Sequence, residues 1–138
     1  MRVLALDYGS ARCGCALSDP TGTIVTPIEV VARPASKRGL ARLRELVRER
    51  EVERVVVGLP LSLAGSDTEQ TRETRAFASE LSKRLGEDIP VEMHDERFTT
   101  RIAQRTDAAR GRAGRSNTGE DSRAAAHLLE SWLASGSR

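Results

Sequence analysis

Aromatic, histidine, cysteine and lysine residues are all scarce in this chain, and each scarcity removes a class of function. Tyr8, Phe77, Phe98 and Trp132 are the only aromatic side chains among 138 residues, too few for the platforms on which single-strand-binding folds stack successive bases. Histidine is confined to His94 and His127 and cysteine to Cys13 and Cys15, and their spacing matches no tetrahedral zinc site. The two cysteines stand two apart in a segment that reads as a strand, which puts them on one face and poorly placed to bridge each other. Reduced thiols are expected. No apolar run approaches the ~18 residues of a membrane span, and Asp7 falls where a signal peptide would carry its apolar stretch. A soluble cytoplasmic protein with no membrane partner is expected.

Lysine is reduced to Lys37 and Lys83, so 20 of the 22 basic residues are arginine; against 20 acidic residues the net charge is only +2. The length suits one compact domain over residues 1–138. Three short apolar runs, Arg2-Val-Leu-Ala-Leu-Asp7, Cys13-Gly-Cys-Ala-Leu17 and Thr23-Ile-Val-Thr26, are separated by turn residues and read as strands joined by hairpins. From Gly39 to Glu51, Leu40, Leu43, Leu46 and Val47 recur at helical spacing. Arg54 to Pro60 is a β-branched run stopped by proline, the pattern of a strand covered on both faces in a parallel sheet. A second helix carries Thr74, Phe77, Leu81 and Leu85 in register, with Asp67 or Thr68 as its cap.

Ile89 to Glu96 alternates as a strand with one wetter face, and Thr99 or Thr100 caps a weaker helix to about Arg110. Gly111 to Gly119 is glycine-rich, basic and without an apolar period, so a mobile loop is expected there. The last helix starts near Glu120 and presents Ala125, Leu128, Leu129, Trp132 and Leu133 on one side. This order predicts an α/β fold: a five-stranded mixed sheet with helices on both faces and parallel pairing among the first, fourth and fifth strands.

In open α/β sheets, ligands gather beyond the carboxyl ends of parallel strands. Those three strands end in Asp7-Tyr8-Gly9, Gly58-Leu59-Pro60 and His94-Asp95-Glu96-Arg97. If they are neighbours, Asp7 and Glu96 converge on one rim. Singly, each acid has an ordinary alternative. Asp7 suits a turn, accepting the amide of Gly9; Glu96 suits a surface ion pair with Arg97 or Arg101; Asp121 suits the first turn of a helix through its dipole. Ala124-Ala125-Ala126 singles out Asp121, because small side chains let a helix amino terminus approach the sheet.

Three carboxylates gathered without a cation raise one another's pKa values. Such a cluster calls for one or two Mg²⁺ or Mn²⁺ ions, the hard cations that activate water and stabilise a leaving oxygen in phosphodiester hydrolysis. Asp7, Glu96 and Asp121 are therefore the candidate catalytic and metal-binding residues. Between Arg97 and Arg123 seven arginines stand against three acids, a local charge of +4. Arg97, Arg101, Arg110, Arg112 and Arg115, with Arg12 in the first hairpin, are candidate nucleic-acid contacts through phosphate. The plainer alternative is an arginine-rich but merely solvated surface.

Asp7-Tyr-Gly-Ser-Ala-Arg12 with Gly14 and Ala16, Val57-Gly-Leu-Pro-Leu61 with Gly65 and Phe77, His94-Asp-Glu-Arg-Phe-Thr-Thr100, and Asp121 before Ala124-Ala125 resemble the YqgF/RuvX family, in order and over nearly the whole chain. The resemblance implies an RNase H-like fold and a bacterial, Mg²⁺- or Mn²⁺-requiring nuclease that matures the 5′ end of pre-16S rRNA. It also carries a Holliday-junction-resolvase-like alternative acting on branched DNA. The family's acids fall on Asp7, Glu96 and Asp121. Members often carry lysines just before the last acid, where this chain has Asn117-Thr-Gly-Glu-Asp121; Arg112 and Arg115 can compensate, while Glu120 adds a negative charge beside Asp121.

Two other readings stay open at this level. The first hairpin also resembles the phosphate-binding turn of actin-like and sugar-kinase ATPases, but those close two such domains around a nucleotide and this chain supplies one. A noncatalytic nucleic-acid or ribosome-associated module would keep the basic face without turnover. A processing nuclease can act as a monomer, whereas junction resolution calls for a two-fold homodimer, so a monomer or a homodimer is expected.

Overall fold

The computed structural model describes residues 1–97 and 117–136, with side chains other than those of residues 117–121. Five strands, β1 (Val3–Asp7), β2 (Arg12–Ser18), β3 (Val25–Ala32), β4 (Arg54–Leu59) and β5 (Val91–Asp95), form one sheet in the order β3-β2-β1-β4-β5. The hairpin strands pair antiparallel, β1 with β2 and β2 with β3. β1 with β4 and β4 with β5 pair parallel, as the strand–helix–strand order requires. The helices are α1 (Lys37–Glu49), α2 (Glu69–Leu85) and α3 (Asn117–Ala134).

The twofold period of a strand sorts the core into two layers. Leu4 and Leu6 of β1, Cys13 and Cys15 of β2, and Val55 and Val57 of β4 pack with Leu40, Leu43 and Leu46 of α1 and Phe77 and Leu81 of α2. Val3, Ala5 and Val56, the intervening positions, pack with Leu128, Leu129 and Trp132 of α3. Each fully buried leucine contributes roughly 1.5–3 kcal/mol, so both faces need their helices. Neither cysteine forms a disulfide, and both are buried.

Capping fixes where the first two helices begin. Ser36 Oγ accepts the amide of Gly39 at 3.0 Å, which starts α1 two residues before the apolar period does. A Cβ on Gly39 would stand 2.2 Å from the carbonyl oxygen of Arg33, so only glycine lets the incoming loop cross here. Thr68 is the cap of α2 and exchanges hydrogen bonds with Thr71 in a capping box, while Asp67 instead pairs with Arg75 at 3.2 Å.

Three boundaries differ from the sequence expectation. β3 was expected over Thr23–Thr26, but it runs from Val25 to Ala32 and passes through Pro27. It is an edge strand bonded to β2 alone, with an irregularity in register beside Pro27, the setting in which a strand tolerates a missing N–H. β5 is shorter than the expected run to Glu96, because Glu96 and Arg97 are already helical. α3 begins at Asn117, so Asn117–Gly119 are helix rather than loop; with no apolar residue among them, periodicity has nothing to register. The helix expected from Thr99 to Arg110 and residues 111–116 of the expected loop lie outside the described residues.

Two consequences position the site. Parallel pairing brings the carboxyl ends of β1, β4 and β5 to one edge, with Leu6 opposite Val57 and Gly58 opposite His94. On α3, Ala125 and Ala126 lie against Ala16, while Trp132 and Leu133 border a cavity with Met1 and Val3 at the start of β1. The helix therefore runs antiparallel to β1, and its amino-terminal end, with Asp121 in the second turn, lies toward the edge where β1 ends.

Candidate active site

β1 delivers Asp7 to that edge on the same face as Val3 and Ala5, the face that α3 covers. The chain leaving β5 turns helical at Glu96, which swings its side chain over the end of β4. There Gly58 forms the floor: a Cβ on it would stand 2.7 Å from Cγ, 2.9 Å from Cδ and 3.0 Å from Oε1 of Glu96. Any other residue at position 58 would lift this carboxyl from its place.

Half-buried Glu96 meets Asp7 carboxyl to carboxyl. Burial pushes its pKa up to about 8, and the charge of Asp7, a hydrogen bond to Asp7 and the charge of Asp95 push the same way. Two carboxyl groups in hydrogen-bond contact must share a proton, since like charges at that distance cannot both ionise cheaply. A hard divalent cation relieves the same conflict and accepts only oxygen ligands, so this donor set fits Mg²⁺ or Mn²⁺. Among the described residues no group of three or more His, Cys, Asp or Glu side chains is arranged to hold a metal ion. The described part of the site is thus a pair, and the side chain of Asp121 lies outside it.

The neighbouring acid behaves in the opposite way. Asp95 accepts Nη2 of Arg97 at 2.6 Å, Nε at 2.9 Å and the backbone amide at 2.9 Å, and these bonds hold its carboxyl below the usual range. Asp95, and not Glu96, is the ion-pair partner of Arg97. Nη1 of Arg97 also donates to the carbonyl of Leu63 at 3.3 Å, so this arginine, expected to bind nucleic acid, ties the β4–α2 turn to β5. Arg12 stands exposed at the start of β2, on the same edge. Arg101, Arg110, Arg112 and Arg115 lie outside the described residues.

Supporting contacts surround the pair. Tyr8 stacks on Phe77 with ring centroids 4.4 Å apart and donates its hydroxyl to Glu73 at 2.8 Å, anchoring β1 immediately after Asp7. Nε2 of His94 and the hydroxyl of Ser131 lie 2.9 Å apart, and the indole N–H of Trp132 donates to Glu92 at 2.8 Å. Both contacts clamp α3 to β5. Sequence reasoning missed Gly58 as the floor and Glu73 as the partner of Tyr8; a glycine interrupting a β-branched run was the visible sign of the first.

A family model described as RuvX, Holliday junction resolvase, matches residues 1–135. Among curated relatives, a protein of Maridesulfovibrio salexigens is 38% identical over 135 residues, covering 97% of this chain and 98% of its own. One of Anaeromyxobacter sp. is 41% identical over 134 residues, covering 96% of each. Both carry the name "putative pre-16S rRNA nuclease". Among solved structures, Thermus thermophilus RuvC aligns with a TM-score of 0.60 at 18% identity over 99% of this chain and 97% of its own. The fowlpox virus resolvase, solved with Holliday junction DNA, aligns with a TM-score of 0.57 at 12% identity over the whole of both chains. The fold is RNase H-like.

Proposed function

The chain belongs to the RuvX family and is a nuclease, and from that premise we propose that it is a metal-dependent endonuclease that cleaves pre-16S rRNA at its 5′ end in the bacterial cytoplasm. The observation that carries the metal requirement is the Asp7–Glu96 pair, two carboxyl groups held face to face over Gly58. Asp7, Glu96 and Asp121 would hold Mg²⁺ or Mn²⁺. When bound, such an ion lowers the pKa of water and neutralises charge on the leaving oxygen.

The chain's own residues do the remainder. Gly58 fixes the height of the Glu96 carboxyl, and the β1 anchor at Tyr8 fixes Asp7. Asp95 neutralises Arg97 and keeps its cation from pairing with Glu96. Arg12, and with it Arg101, Arg110, Arg112 and Arg115, would grip phosphates on either side of the cut, which positions the strand without reading its sequence.

A second reading is favoured by the description of the family model, resolution of Holliday junctions. It requires two active sites related by a two-fold axis and hence a homodimer. One experiment separates the two: labelled pre-16S rRNA and a four-way DNA junction are each incubated with the protein and Mg²⁺ or Mn²⁺, beside the Asp7→Asn variant. Asp7-dependent cleavage of the rRNA is expected. Cleavage of the junction alone would shift the substrate to DNA, and binding of either without Asp7-dependent cleavage would make the chain a noncatalytic module.

A further inference from the structure

We propose that the β4–α2 turn is a nucleobase contact, with Leu63 as an apolar wedge that seats against an unpaired or unstacked base beside the scissile phosphodiester; this rests on the nuclease reading above. Leu63 is 95% exposed, so the fold forgoes the roughly 1.5–3 kcal/mol that burying a leucine provides. The turn that displays it is held in place. Ser62 donates its amide to the carbonyl of Ser66 at 3.1 Å, and Gly65 donates to the carbonyl of Ser62 at 2.8 Å. The two serine hydroxyls lie 2.9 Å apart. Gly65 has a φ of 85°, a left-handed conformation that glycine adopts freely, and the hydroxyl of Thr71 holds the carbonyl of Pro60 at 2.7 Å.

Placement selects the occupant. The turn follows the carboxyl end of β4, and its Leu63 carbonyl is bonded to Arg97, the residue after Glu96. A strand lying across Asp7 and Glu96 therefore passes the leucine. Apolar side chains inserted between base steps unstack them and hold a bent or open backbone. Aromatic rings often make such contacts; among the described residues near this edge, Tyr8 and Phe77 are buried in their own stack. Of the exposed large apolar side chains among the described residues, Met1, Ile24 and Leu63, it is Leu63 that follows the carboxyl end of a parallel strand.

The test uses the Asp7→Asn variant, expected to bind without cutting, and a pre-16S rRNA fragment carrying 2-aminopurine at each position flanking the cut. Binding is expected to raise the fluorescence of one probe as its base unstacks. Adding Leu63→Ser should abolish that rise and, in the active protein, slow cleavage about tenfold, equivalent to ~1.4 kcal/mol. Leu63→Phe should restore both. Because the side chain is exposed, the melting temperature should not move. RNA bound with probes that respond equally to both variants would overturn the wedge alone, whereas wild-type protein that binds no nucleic acid would overturn the reading beneath it as well.

Discussion

At the turn between β2 and β3, Asp19 accepts the amides of Thr23 and Ile24 at 2.8 and 2.9 Å and the hydroxyl of Thr21 at 2.6 Å. At the opposite edge of the sheet, Glu96 faces the carboxyl of Asp7. The first carboxylate is surrounded by donors and sits far below its ordinary pKa, while the second meets another acceptor and is pushed far above. Both follow strand ends, and residue type alone does not tell them apart. The difference is that Asp19 completes a turn with donors, whereas Glu96 is buried against the carboxyl of Asp7. A carboxyl pair pushed this far from its ordinary titration is what the proposed metal site would use.

Removing the opposition should have the largest effect. Asp7→Asn or Glu96→Gln is expected to reduce cleavage more than about 100-fold, beyond what loss of an outer-shell partner costs a metal site. The metal-free variants should melt at or above the wild-type temperature, because the like-charge conflict is gone. A variant that loses activity and stability together would reduce the pair to structural acids.

Gly58→Ala tests the same region without touching a carboxyl group. The added Cβ would lie 2.7 Å from Cγ of Glu96, close to the root of the side chain, so Glu96 must move as a whole. A stability loss of about 1–3 kcal/mol and a fall in activity of roughly 10- to 100-fold are expected. Full activity in this variant would show that the height of Glu96 does not matter.

Proton linkage sharpens the contrast further. Glu96 rises from 4.5 in the unfolded chain to about 8 in the folded one. Between these values the folded state binds a proton that the unfolded state has released, so stability is full below the lower value and falls as pH rises through the window. Melting of metal-free protein should show this decline. Saturating Mn²⁺ should flatten it by taking the proton's place, and Glu96→Gln should remove it. A slope that survives in Glu96→Gln belongs to another group.

Much of this arrangement was readable in the sequence. The short apolar runs of β1 and β2, bounded by turn residues, and the β-branched run of β4 dictated the sheet, and parallel strand ends at one edge brought Asp7 and Glu96 together. Which of two adjacent acids would take Arg97 was not readable, because it depends on Glu96 leaving β5 as a helical turn. Gly58 looked like a strand terminus until the side chain above it was placed. Pro27 lies within a strand only because β3 has a single neighbour, a property of topology rather than of local propensity. Leu63 did leave a signal, an apolar residue amid serine and glycine in a turn, but exposure had to be seen to give it meaning.

The smallest effect should come from the satisfied carboxylate. Asp19→Asn keeps one oxygen for the amides of Thr23 and Ile24 but replaces the oxygen that accepts the Thr21 hydroxyl. The turn is exposed, so solvent screens much of what the charge contributes. A slight drop in melting temperature at neutral pH is expected, with cleavage unchanged. The sign of the pH dependence is opposite to that of Glu96: a depressed folded pKa means stability present above the unfolded value and lost as pH falls below it. Wild type and Asp19→Asn should therefore converge in acid, while wild type and Glu96→Gln diverge from about pH 5 upward. If Asp19→Asn instead lowered cleavage, the two edges of the sheet would be coupled, and the division between a carboxylate that finishes a turn and one that awaits a cation would not hold.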